Sequence, residues 1–460
     1  MAELWTPDER AVLWSEPAEP SWKNYRRAGI ITRRDQDLLE RFGEAMRTGR
    51  SQRDASFDAD GARIAEVLLS CLKAINIPDS LWYLLYTVDE VLREDESRAA
   101  HFHQVVRANG EEVEAAEAAG DGTAKQRWLE CYKPLLRVVV GTDTATDRPS
   151  LQARWRALSA LRVLLSTADA DVPHVAGQQR QCISDALRSV ARESRNLPDE
   201  LAEAPPGDHR VQLLLRATGL QASLALFQSL LQLAHLRTHF LDSRGLELLA
   251  SAPLLCPRAA ALVDTPVDVQ YRVIFALWML SYDRSVAPRL AWESPLEAAI
   301  TVHSASKPAK GCIRELVAIL RHSEKTRVVR VGLLLLRNLC APGLGLVQQL
   351  IDVGAVGVVE TLAAKSWPDA GAQPSLRRTH PYLSAGCVRV VVNRCCADIR
   401  GDAAHVLEVL RKELVALSDW SLYRQDVLSR TLSWSNPCHT DESFWRHAPA
   451  QTRPSFVGGD

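Results

Sequence analysis

The sequence predicts an all-α fold, an α-solenoid of stacked helices followed by a smaller C-terminal helical domain. Apolar residues recur at helical spacing along nearly the whole chain. Alternating strand patterns are almost absent, with Val388 to Val392 the one short β-like run. Several segments are apolar over more than one helical face. Such helices must be covered on several sides, as the inner helices of solenoid repeats are.

The elements follow in chain order. Met1 to Pro20 is acidic and holds three prolines, which does not suit a targeting helix. Thr32-Arg-Arg-Asp35 reads as a capping box opening a helix, with Leu38, Leu39, Phe42 and Met46 on one face. Leu151, Trp155, Leu158, Leu161 and Leu165 form another apolar face, and so do Val269, Val273, Leu277 and Leu280. Gln270 to Leu280 and Thr326 to Cys340 are apolar nearly all round.

Cys312 to Leu320, a turn at Arg321 to Glu324, and the helix to Cys340 make one repeat; Val353 to Leu362 opens the next. Ala217 to Gln232 and Ser243 to Leu249 show the same order earlier. The spacing drifts around the roughly 40 to 47 residues of armadillo and HEAT units, so the solenoid is armadillo/HEAT-like with degenerate repeats. Ala115 to Lys125, Asn196 to His209 and Trp367 to Pro381 read as loops. The last is the domain boundary: residues 1–366 form the solenoid, 367–397 a linker, and 398–460 a short helical domain that includes a helix over Ala403 to Leu417.

Composition excludes several classes. The 460 residues carry a formal net charge of −1, from 55 basic and 56 acidic residues. No basic stripe stands out, which argues against a nucleic-acid binder. The ten cysteines are scattered apart from Cys395-Cys396, with no Cys-x-x-Cys, as for free and mostly buried thiols in a reducing cytosol. No apolar run approaches the roughly 20 residues needed to span a bilayer, so membrane association is expected only through a partner.

No constellation for catalysis or cofactor binding emerges. A phosphate-binding glycine loop of the Walker type is missing. His101 and His103 face different ways on a helix and lack a ligand at metal-binding spacing, so they read as solvated or hydrogen-bonded histidines. Cys395-Cys396 reads as two free thiols near a loop. Cys438 beside His439 has no orienting third group. Trp155, Tyr271 and Trp278 lie on apolar faces and read as core, and Arg93 to Arg98 reads as a solvated charged turn. No catalytic, cofactor-binding or metal-binding residue is assigned, and no cofactor is expected.

Near the C-terminus, Tyr423 is followed by Leu432-Ser-Trp434-Ser-Asn-Pro437-Cys-His439 and then Phe444-Trp445-Arg446. This run resembles the signature of the H subunit of the vacuolar-type proton-pumping ATPase, with Asn436 inserted and His447 where that family usually has Asn. Trp22 to Thr32, with Trp22 and Tyr25, resembles the family's opening Trp-x-x-Tyr run. Trp82 to Arg98 resembles its Ile-Asp-Asp-Leu-Leu segment. Val269 to Ser281, with Gln270, Tyr271 and Trp278, and Glu324 to Leu339, with Arg330, resemble two further helices, all in the family's order.

The resemblance implies a non-catalytic regulatory subunit, peripheral on the cytosolic face of vacuolar or other acidic-organelle membranes. Its implied partners are the peripheral stalk, the catalytic hexamer and the membrane stator of the pump. It would permit coupled proton transport and restrain ATP hydrolysis in the detached soluble sector. Trp22, Tyr25, Gln270, Tyr271, Trp278, Arg330, Tyr423, Trp434, Pro437, His439, Phe444 and Trp445 are its structural or partner-contact candidates. The family runs on past its Phe-Trp-Arg run, whereas this chain stops at Asp460, so activation is expected to survive better than inhibition. The alternative is an armadillo-type cytosolic adaptor gripping extended peptides or cargo. Against it, Asn338 lacks equivalents in the other inner helices.

Overall fold

Helical periodicity becomes helix throughout the described residues, and no strand occurs among them. The computed structural model describes residues 7–118, 132–169, 175–250, 254, 266–290, 312–341, 344, 346–365, 367 and 395–417. The β-like run at Val388 to Val392, most of the loop after Trp367 and the C-terminal signature lie outside them. The all-α class expected from the sequence is the one observed among the described residues, with neighbouring helices stacked in each unit.

The chain divides into two compact units. The first holds the described residues up to Leu249 together with 266–276; the second holds Ala250, Leu254 and Leu277 onward.

The first unit opens with α1 (Pro7–Leu13), α2 (Trp22–Arg27), α3 (Arg33–Thr48), α4 (Arg50–Ala74) and α5 (Pro78–Glu94). A 3-10 turn (Glu96–Arg98) leads into α6 (Ala99–Ala118). Then come α7 (Lys133–Gly141), α8 (Arg148–Thr167), α9 (Val175–Glu203), α10 (Asp208–Leu230), α11 (Ala234–Asp242) and α12 (Gly245–Leu249). Helix α13 (Pro266–Leu280) lies in this unit as far as Ala276.

The expected capping box is present at α3. Thr32 Oγ1 accepts from the Asp35 amide at 3.2 Å, and the Asp35 carboxylate accepts from the Thr32 amide at 3.0 Å. Leu38, Leu39 and Phe42 are buried, while Met46 is half-buried. Stacking runs α3 on α4, α4 on α5, α5 on α8, α8 on α10, and α9 on α10. Helix α8 is the centre of this stack: every residue from Ser150 to Leu165 is buried. Helix α4 kinks at Asp60 (φ −133°, ψ 21°). The neighbouring Gly61 leaves room for α6, since a Cβ there would lie 2.7 Å from the His101 ring.

One expected loop is helix instead. Residues 196–203, read as part of a proline-rich loop, continue α9 through Pro198, leaving only Ala204 to Gly207 as connection. Proline removes one helical hydrogen bond at a cost of about 3 kcal/mol. Leu197 and Leu201 are buried one turn apart around it, and their packing offsets the loss. Residues 115–118, also read as loop, close α6.

The second unit holds the end of α13, α14 (Val286–Leu290), α15 (Cys312–His322), α16 (Thr326–Leu339), α17 (Val347–Asp352), α18 (Ala355–Ala364) and α19 (Cys395–Leu417). The α15–α16 hairpin matches the repeat read from the sequence, with its turn at Ser323 to Lys325. Helix α19 packs on α16, α17 and α18, burying Ile399, Ala403, Val406, Leu407 and Leu410. Arg411 reaches Glu360 at 2.7 Å and Arg337 reaches Asp402 at 3.5 Å along the edges. Cys395 and Cys396 begin this helix.

Gly332 sets the approach of α15 and α16, because a Cβ there would meet Leu320 Cδ2 at 2.5 Å. Gly332→Val is expected to destabilise this hairpin by about 1–3 kcal/mol through overpacking. Urea unfolding followed by circular dichroism checks this, and an unchanged midpoint would contradict the close contact.

Candidate functional site

The sequence-predicted positions fall on packed helices of the stack. Trp22 on α2 is buried; its indole N–H donates to Glu19 Oε1 at 3.0 Å, and its ring meets Tyr83 edge-on at 5.9 Å. Tyr25 donates its hydroxyl to Ser80 Oγ at 2.7 Å. These contacts tie the entry segment to α5. Gln270 is half-buried and Tyr271 buried on α13, where Tyr271 packs on Phe275 at 6.0 Å. Trp278 is buried and stacks obliquely on Tyr282 at 6.0 Å. Arg330 is half-buried on α16. Trp155, Tyr271 and Trp278 are thus core, as expected. Tyr423, Trp434, Pro437, His439, Phe444 and Trp445 lie outside the described residues.

The segment from Trp82 to Arg98 holds the main electrostatic feature. Asp89 on α5 and Arg156 on α8 are ion-paired with side-chain exposures of 2% and 3%. Glu90 adds a second carboxylate 3.6 Å from Arg156. The guanidinium also lies over the rings of Tyr86 at 4.9 Å and Trp155 at 3.9 Å. A charge this deep is stable only with a partner, so the pair sets the register of α5 against α8.

Arg93 to Arg98 is not the solvated turn expected from its composition. Arg98 is buried and donates to the Val91 carbonyl and to Glu94, both at 3.2 Å, and it pairs with Asp54. Arg53 donates to Glu94 at 3.0 Å, and Arg162 reaches Glu96 at 3.4 Å. The partners come from α4 and α8, so the segment is a cross-helix ion cluster. Local composition could not reveal this, because Arg53 and Asp54 stand more than 40 residues earlier.

A second network ties α8, α9 and α10. Asp143 pairs with Arg154 and Arg192, and Arg216 bridges Glu193 at 2.8 Å and Glu200 at 2.9 Å. Burial opposes the charge on Asp143, but Arg192 and Arg154 outweigh it and hold the carboxyl below its ordinary 3.8. Burial lowers Arg154 from its usual value, with Asp143 acting the other way.

The remaining candidates are structural. His103 is buried between Tyr132, whose hydroxyl it meets through Nδ1, and Thr167 Oγ1 at 3.1 Å. His101 is half-buried with its ring 5.9 Å from Phe57. Among the described residues no cluster of three or more His, Cys, Asp or Glu is placed to hold a metal ion. Cys71, Cys182, Cys312 and Cys340 are free and buried, and burial pushes Cys71, Cys312 and Cys340 up to about 12. No described helix is long and apolar enough to cross a membrane.

The arrangement is therefore one of helices locked by aromatic contacts and buried ion pairs, and comparison with known proteins gives it a family. The sequence profile of the V-ATPase H subunit matches residues 15–376. The chain belongs to the V-ATPase H-subunit family. It is 25% identical over 432 residues to the probable H subunit of the V-type proton ATPase of Oryza sativa subsp. japonica, covering 92% of this chain and 75% of that one. The probable H subunit 2 of the V-type proton ATPase of Caenorhabditis elegans is 21% identical over 436 residues, covering 93% of this chain and 71% of that one. The H subunit of the Dictyostelium discoideum V-type proton ATPase is 25% identical over 228 residues, 49% of this chain and 40% of its own length. Among solved structures, an engineered protein aligns with a TM-score of 0.41 at 15% identity over 76% of this chain and 99% of its own, too weak a likeness to bear on the fold. Of the H-subunit signature positions, those from Trp22 to Arg330 lie inside the profile match and those from Tyr423 on lie beyond it.

Asp89→Ala, which leaves Arg156 only the longer 3.6 Å contact to Glu90, is expected to cost about 3 kcal/mol, and Asp89→Leu with Arg156→Met to recover most of it. Equilibrium unfolding of the single and double variants decides this. Asp143 has a depressed folded value, so its stabilisation is present above 3.8 and is lost as pH falls through that folded value. Asp143→Asn should therefore melt below the parent at neutral pH, and the gap should close on acidification. A gap independent of pH would show that the carboxylate charge contributes nothing.

Proposed function

We propose that this chain is a non-catalytic regulatory subunit of the vacuolar proton-pumping ATPase, peripheral on the cytosolic face of an acidic-organelle membrane. The observation that carries this is the H-subunit family match over residues 15–376. The packing is consistent with it: a stack whose neighbouring helices are joined by buried ion pairs resists sliding, as a part under torque requires. In this reading the solenoid, residues 1–366, docks on the peripheral stalk. The C-terminal domain over 398–460 begins within α19, which packs on α16, α17 and α18, and its later residues reach toward the catalytic hexamer and the membrane stator. The subunit braces the stator during coupled pumping. When the soluble sector detaches, the C-terminal domain re-docks between rotor and stator and restrains ATP hydrolysis.

The signature residues divide by role in this proposal. Trp22, Tyr25, Tyr271 and Trp278 hold the helices that carry the docking surface. Gln270 and Arg330, half-buried on their helices, are closer to that surface. The adaptor alternative is not favoured, since the Asn338 amide donates to Ser281 Oγ at 2.9 Å and so serves the fold.

Adding the purified chain to V-ATPase membranes stripped of their own H subunit is expected to raise ATP-driven proton uptake several-fold. Adding it to the detached soluble sector should lower ATP hydrolysis. No gain in proton uptake would reject the bracing role, and unchanged hydrolysis would reject the restraining one.

A further inference from the structure

The turn that joins α2 to α3 carries a patch of positive charge that the protein itself does not balance. From Ser21 to Arg34 the chain holds Lys23, Arg26, Arg27, Arg33 and Arg34 and no acid, although its formal net charge is −1. Arg26 is half-buried and the other four are exposed. Among the described residues none of these five side chains is ion-paired, in contrast to Arg53 of α4 or Arg156 of α8. The nearest acids are engaged elsewhere. Asp35 accepts from the Thr32 amide and pairs with Arg63, while Glu19 holds the Trp22 indole and pairs with Arg47. Asp37, exposed further along α3, bounds the patch on that side.

The backbone between the two helices is fixed. Gly29 adopts φ 71°, ending α2 in the left-handed turn that glycine favours. The Gly29 amide donates to the Arg26 carbonyl and the Ile30 amide to the Tyr25 carbonyl, both at 3.0 Å. Tyr25 is tied to Ser80 of α5, and Trp22 is buried beneath. Within this turn Ile31 is buried, whereas Ile30 is 40% exposed. A branched aliphatic side chain thus stands in water between two pairs of arginines. A lone exposed isoleucine is ordinary. One held on an ordered turn and flanked by cations combines the two properties that a lipid surface selects.

We propose that this turn docks on the surface of a membrane containing anionic lipid, with Ile30 entering the headgroup boundary and the five cations meeting the lipid phosphates and carboxylates. Each lysine or arginine close to an anionic leaflet adds a similar small increment, so five act together where one would not suffice. The apolar tip favours lipid over a nucleic acid or an acidic polypeptide, because only the bilayer offers an apolar layer just beneath its charges. Direct lipid contact goes beyond attachment through pump partners, and vesicles that lack every pump subunit test it apart from that reading.

The full chain is sedimented at low salt with vesicles of phosphatidylcholine alone, and with vesicles of phosphatidylcholine and an equal part of phosphatidylserine. It should pellet with the anionic vesicles, stay in solution with the neutral ones, and come off the anionic ones at high salt. Arg33→Glu with Arg34→Glu should weaken binding by about tenfold or more. Acids in the first turn of α3 suit the helix dipole, so the melting curve of this variant should stay that of the parent. Ile30→Ser, at an exposed position, should also melt like the parent and weaken binding severalfold. Equal sedimentation with both vesicles, undiminished binding of either variant, or full release from anionic vesicles by an equal charge of polyglutamate would each overturn the proposal, the last by assigning the patch to an acidic protein.

Discussion

Helix α8 sets the terms for the rest of the first unit. It is buried along its whole central length, yet it carries Arg154, Arg156 and Arg162, all at least nine-tenths buried. Charges so placed cannot be left to water, and each unpaired one would cost several kcal/mol. Acids must therefore be delivered from neighbouring elements: Asp89 from α5, Glu96 from the 3-10 turn, and Asp143 from the turn between α7 and α8. Apolar contacts alone would tolerate sliding of one helix along another. The ion pairs do not, because a guanidinium and a carboxylate meet in only one register. That requirement favours the placing of α5 beside α8 that brings Asp89 to Arg156.

The same logic recurs around it. Arg53, Asp54, Glu94 and Arg98 join α4 to the end of α5, while Arg216, Glu193 and Glu200 join α9 to α10. The aromatic contacts of Trp22 and Tyr25 extend the tie to the entry helix. The stack is thus cross-linked by directional contacts along much of its length.

Local physics made much of this readable in advance. The capping box at Thr32 and Asp35 depends on residues three apart, so its chemistry is written in sequence. The α15–α16 hairpin follows from two apolar periods separated by a polar turn. The burial of Trp155, Tyr271 and Trp278 follows from their place on apolar faces. Two readings failed for one reason. Arg93 to Arg98 looked solvated because its partners lie on other helices. Residues 196–203 looked like loop because proline weakens a helix locally, while the packing of Leu197 and Leu201 that outweighs it is tertiary. Asp89 and Arg156 gave only a faint signal, a charged residue amid an apolar helix, and no rule of spacing pairs positions 67 residues apart.

By itself the sequence determined the helices, their apolar faces, and the family whose segments it shares, because periodicity, capping and residue order are properties of neighbouring positions. The tertiary structure alone decided which charges are buried and paired, and which helices supply the partners. Those outcomes depend on distances between helices that meet only after folding, when excluding water turns ordinary surface charges into register-setting contacts.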